Sequence, residues 1–337
     1  MPLASPTDMV NRVIAWADGF QRRHGVLGFP YAVVRKYLDD EGGREAALIT
    51  YYGFLSIFPL LLLGVAILSR VLRAQAELRQ RLIDEIVPPV LRSTVEQSLT
   101  TLPTSTIPFI AGLIGLLFAG TGVVFSVYHT LNNVAAVPRR VRAGFFARYV
   151  RVFVMLATVL LGALAVGVLT VAVTALPSLP TEGRVLAALG SALIVFAVLL
   201  LAARLLLLRP APFRSLWPSA AIGAVAVTVV LTIGPPLLAR LVDNAGPVYG
   251  SFATVAGLFA LLYLVSQTLV YSAEVAAVRA GGLWPRALDQ NRPTNADARV
   301  AALLARRQER MPAARTDVRL VFEEGSSPGA GREPGDH

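Results

Sequence analysis

Four side chains in the run from Tyr249 to Val278 have the types and spacing to do chemistry. Tyr263, Gln267, Tyr271 and Glu274 are four, four and three residues apart, so a helix would line them up as one polar stripe. A carboxylate beside hydroxyl and amide groups can handle an ion or a proton. It can also act as an interfacial anchor that meets an arginine at headgroup level. Further polar groups fall at comparable depth in two other apolar runs: Tyr52 and Ser56 in one, and Thr121, Tyr128 and Asn132 in the other. Polar groups in lipid must pair with one another or line a wet cavity. The expectation is a cytoplasm-facing polar pocket between the first, second and sixth spans. The alternative is an interfacial tyrosine belt with hydroxyls that cross-link helices.

The chain that must position these residues has 337 residues, 55% of them hydrophobic and 15% charged, with a mean hydropathy of +0.62. Soluble domains carry about 25% charge, so water is not the main solvent here. No cysteine is present and there are three histidines, His24, His129 and His337. That rules out a disulfide framework, a thiolate metal site and a histidine-pair zinc motif. There is no phosphate-binding glycine loop of the ATPase type, and Ser126 and His129 lack an orienting acid. No catalytic residue, metal site or cofactor is expected, and the protein is read as not an enzyme.

Six apolar runs are each long enough to cross a hydrocarbon core of about 30 Å at 1.5 Å per residue. They cover residues 46–68, 107–131, 152–176, 185–208, 216–239 and 249–278. The fold class is therefore all-α, a polytopic membrane protein with six transmembrane helices. Pro59 should bend the first span. Ala111, Gly115 and Ala119 offer the second a small-residue face for close packing. Residues 1–45 read as a cytoplasmic amphipathic segment, with Val10, Val13, Ile14 and Ala17 at helical spacing and without a signal-peptide core. Residues 69–106 read as two short amphipathic helices in the first external loop. Residues 279–337 read as a largely disordered cytoplasmic tail, with one short helix from a cap at Asn295 to Arg310 and Val300, Leu303 and Leu304 on one side.

Of the 31 Lys and Arg residues, 24 fall on segments that share the N-terminus's side of this topology, and all but Lys36 are arginine. The positive-inside rule then places both termini in the cytoplasm. The net charge of +10 is assigned to anionic lipid headgroups rather than nucleic acid, because Arg139, Arg140, Arg142, Arg148, Arg209 and Arg214 cluster in links between spans. Arg204 sits near a span end and can snorkel to the headgroups. The expected partners are membrane lipids and a further copy of the chain; a transported ligand is left open.

Three segments carry a family resemblance: AALITYYGFLSIFPLLLL at 46–63, GLLFAGTGVVFSVYHTLNNV at 115–134, and YGSFATVAGLFALLYL at 249–264 followed by SAEVAA at 272–277. The chain resembles the YihY/BrkB family of bacterial inner-membrane proteins, once labelled ribonuclease BN. The resemblance covers residues 10–280 and implies six helices and a bacterial plasma membrane. Where the family closes its last helix with Gly-Ala-Glu-Leu-Asn, this chain has Ser272, Ala273, Glu274, Val275 and Ala276. The acid is kept, and the Gly and Asn are not. The ribonuclease label finds no acid–base pair or metal ligands in the sequence. The leading expectation is a transporter or lipid-handling permease, with a non-transporting membrane scaffold that binds anionic lipid or partner proteins as the alternative.

Overall fold

The computed structural model describes residues 16, 18, 19, 21, 25–74, 106–139, 145–174, 181–208, 213–289 and 292–309. These form seven helices and no strand: α1 (Gly25–Asp39), α2 (Gly42–Ala74), α3 (Ile107–Val134), α4 (Phe145–Thr174), α5 (Thr181–Leu206), α6 (Phe213–Gly281) and α7 (Asn295–Arg307). The chain is all-helical, with six candidate membrane spans. Phe118, Phe146 and Phe252 point outward, each more than 70% exposed. Such surfaces are tolerated when the surrounding solvent is lipid.

Six spans come from five helices, because α6 supplies two, Phe213–Arg240 and Phe252–Gly281. α6 is helical over 69 residues, which as a straight rod would run about 100 Å, but Pro235, Pro236 and Pro247 within it have no N–H to give to the helical ladder. Instead the chain folds back. Gly234 faces Leu261, Gly257 faces Leu238, and Gly223 faces Ser272. All three pairs are centred on about residue 247, so the two halves lie antiparallel. The Ser272 hydroxyl donates to Ser219 O at 2.8 Å and ties the two ends of this hairpin together.

α2 and α3 approach through glycine, since lipid offers no hydrophobic drive and packing must be close. A Cβ on Gly112 would stand 3.0 Å from the Leu63 backbone N, and one on Gly115 would stand 2.9 Å from Pro59 Cβ. Gly122 makes room for the Tyr52 ring. The packed face thus runs through Gly112, Gly115, Ala119 and Gly122, whereas Ala111, expected on it, is exposed. α2 remains helical through Pro59.

Other boundaries also move. α4 begins at Phe145, so Arg148 and Arg151, read from sequence as part of a link, lie in the helix. Arg148 is held against aromatic rings, 5.4 Å from the Phe125 centroid and 5.9 Å from that of Tyr149. Arg204 likewise lies over Phe213, 5.4 Å from the ring centroid. The tail helix starts one residue earlier than expected. Thr294 is its N-cap, in a reciprocal capping box with Asp297, and it ends at Arg307. Val300, Leu303 and Leu304 pack against Ala32, Val33, Val278 and Leu283. The stretch around Val10, Val13, Ile14 and Ala17, the helices expected within 75–105, and residues 310–337 lie outside the described residues.

Candidate functional site

One end of the bundle gathers the start of α2, the ends of α3 and α5, both ends of α6, and the two helices outside the spans, α1 and α7. The short link Asp40–Glu41, with Glu41 at a left-handed φ of 56°, joins α1 to α2. α1 lies along the polar stripe of α6. Tyr37 stacks on Tyr271, ring centroids 4.1 Å apart and 8° from parallel. Gln267 Nε2 donates to the Tyr37 hydroxyl at 3.5 Å, and Tyr263 packs into the same cluster with Ala46, Ile49 and Val270. The stripe read from spacing therefore exists, and a helix from the N-terminal segment covers it.

At its end sits Glu274, with no exposed surface. Lys36 Nζ reaches Glu274 Oε2 at 2.9 Å, Asp40 Oδ2 at 2.6 Å and the Val134 carbonyl at 3.0 Å. Three acceptors on three elements converge on one ammonium. Lys36 and Asp40 are brought together by helical i,i+4 spacing, and Val134 O is one of the carbonyls that α3's C-terminus leaves without an intrahelical donor. Burial pulls the Lys36 pKa down, but Glu274 and Asp40 outweigh it and hold the pKa above its ordinary value. Lys36 is therefore charged at neutral pH, and its contribution to stability is lost only as pH rises through that elevated value. Asp40 Oδ1 accepts from Arg307 of α7 at 3.2 Å. Among the described residues Glu274 Oε1 has no hydrogen-bond partner.

Two further networks flank this one. Glu45, in the first turn of α2, accepts from the Thr130 hydroxyl at 2.8 Å and from Asn133 Nδ2 at 2.9 Å, both on α3. Arg286 bridges Asp39 of α1, at 2.9 Å, and Asp297 of α7, at 2.5 Å. Burial raises the Asp297 pKa, but hydrogen bonds from the Thr294 backbone, Arg286 and Ala287 win and lower it. Its share of stability is therefore present above about pH 4 and is lost only as pH falls through the lowered value.

Not all residues expected in the pocket meet there. Ser56 and Thr121 bond to carbonyls of their own helices, Gly53 and Leu117. Tyr128 and Asn132 face the opposite side. Tyr128 is buried with Val124, Val152, Met155, Leu156, Ala202 and Leu206, and Asn132 donates to Leu206 O at 2.9 Å and accepts from Leu208 N at 3.1 Å, closing the end of α5. The first and sixth spans are instead linked by Thr50, whose hydroxyl donates to Ser266 Oγ at 3.0 Å. Of the arginines assigned to headgroups, Arg139 and Arg214 are exposed and Arg148 is half-buried, while Arg140, Arg142 and Arg209 lie outside the described residues. Sequence reasoning missed Lys36, Tyr37, Asp40, Glu45 and Arg307. A signal for the first existed: Lys36 is the one lysine among 31 basic residues, with an acid four residues on.

Fold and site together define a polytopic helical membrane protein with a charged network buried at one end of its bundle. A family model described as Virulence factor BrkB matches residues 33–296, and the chain belongs to that family. The match takes in Lys36, Asp40, Glu45, Glu274 and Arg286. No curated protein and no solved structure matches the chain.

Proposed function

We propose that this protein is a permease for a solute or a lipid in a bacterial plasma membrane, with both termini cytoplasmic, and that it is not an enzyme. The observation that carries this reading is Glu274: a carboxylate with no exposure on span six, held by Lys36 of a helix outside the spans. Buried ion pairs are expensive and add little net stability, so their use is best sought in exchange of partners rather than in holding the fold. Displacing α1 would uncover Tyr263, Gln267, Tyr271 and Glu274 in one movement. The arginines at the same end are read as headgroup contacts. The network joins α1 to the ends of the second and sixth spans through Lys36 and leaves Tyr128 and Asn132 outside the expected pocket.

Glu274→Gln keeps the shape and removes the titratable group, so it is expected to abolish complementation of a deletion strain and transbilayer movement of a fluorescent phospholipid in proteoliposomes. Wild-type behaviour from a well-expressed Gln variant would remove Glu274 from the mechanism. The scaffold reading draws on one observation, the Tyr37–Tyr271 stack that closes the stripe. In this cysteine-free chain, Tyr37→Cys and Tyr271→Cys joined by a short bifunctional thiol reagent distinguish the two. A permease should lose flux on joining, and a scaffold should keep every function it has. For orientation, single cysteines at Ser98 and Ser178 should react with an impermeant thiol reagent from outside, and one at Ser326 should not; outside labelling at 326 would invert the topology.

A further inference from the structure

We infer that Glu274 Oε1 is a proton-binding site, loaded at neutral pH and exchanged when α1 moves. Around the end of α3, Lys36 and Arg307 face three carboxylates, Asp40, Glu45 and Glu274. Lys36, Asp40, Glu45 and Glu274 are all buried, so among the described residues the network carries one negative charge more than its cations balance. The neighbouring cation, Arg286, already serves Asp39 and Asp297, and Arg279 and Arg299 are exposed. An uncompensated charge in a low-dielectric interior is strongly unfavourable, and the usual relief is neutralisation.

The geometry selects which acid is neutral. Asp40 accepts on both oxygens, from Lys36 and Arg307. Glu45 also accepts on both, from Thr130 and Asn133, in a first helical turn where the helix dipole favours an anion. Among the described residues Glu274 accepts on Oε2 alone, and its buried Oε1 meets no donor. A proton on Oε1 leaves Oε2 free to accept from Lys36, so binding it breaks no contact. Among the described residues the Tyr37 hydroxyl also lies near Glu274, and burial raises its pKa, so it stays neutral. As the coupling ion, the proton rests on the permease reading; as a bound proton, it rests on this network alone.

Infrared spectroscopy of the full-length protein in lipid tests the site. An ordinary glutamate has a pKa of about 4.3 and is ionised at about pH 7. The wild type at that pH is expected to show the carbonyl stretch of a protonated carboxylic acid, downshifted in D2O. The band should be absent from Glu274→Gln, retained in Glu45→Gln, and shifted rather than lost in Glu274→Asp, which keeps the acid if the Gln variant folds poorly. A wild type without the band, a band that survives Glu274→Gln, or one that Glu274→Asp leaves unmoved would overturn the proposal. So would a band-free wild type whose melting temperature rises with sodium, because the site would then hold a metal cation. A retained band in a protein without flux counts against the permease reading and leaves the proton site standing.

Discussion

Lys36→Met is expected to destabilise the protein by about 3–5 kcal/mol, the range found when one partner of a buried ion pair is removed. Asp40 Oδ2, Glu274 Oε2 and Val134 O would all lose their donor at once. The informative companion is Lys36→Arg. It keeps the charge, yet a planar guanidinium cannot direct three donors from one atom to acceptors on the α1–α2 link, α3 and α6 as a compact ammonium does. It should therefore recover only part of the loss. The measurement is thermal unfolding in detergent, with expression level matched. Wild-type melting of Lys36→Arg would mean that only charge matters here and would reject the three-way hub.

The second large effect is expected on the other side of the bundle. Asn132→Leu is close in volume but leaves Leu206 O and Leu208 N unpaired in a region where Asn132 itself has no exposure. Each such group costs about 1–3 kcal/mol, so a loss of several kcal/mol is expected in the same melting experiment. The variant also asks where the functional site ends. Because Asn132 faces α5 and not the stripe, flux or complementation per folded molecule should be unchanged. A well-folded Asn132→Leu protein without activity would restore Asn132 to the polar pocket read from sequence.

The amino-acid sequence alone established the solvent of this protein and its span count, because lipid requires long apolar runs whose backbone bonds are satisfied internally. It also placed Tyr263, Gln267, Tyr271 and Glu274 on one helical face, since periodicity within a helix is a local property. It placed Gly115 and Ala119 in a packed face through small-residue spacing, although Gly112 and Gly122, not Ala111, complete that face. Depth along a span was legible, and direction around it was not. Tyr128 and Asn132 share that depth with Thr130 and Asn133, but they point to α4 and α5 while Thr130 and Asn133 point to Glu45.

Only the tertiary structure decided what meets the stripe. Lys36 and Glu274 are 238 positions apart, and no local pattern links a short, polar-flanked helix to a span at the far end of the chain. The fold-back of α6 likewise shows in contacts such as Gly234 with Leu261, which join residues far apart in the chain about Pro247, a residue without an N–H for the helical ladder. Burial then gave the acids their different characters. Glu45, Asp40 and Glu274 are alike as residue types, and they differ here because two have donors on both oxygens and the third has a donor on one. The energy of a charge in a protein depends on its three-dimensional surroundings, which a linear order of residues does not contain.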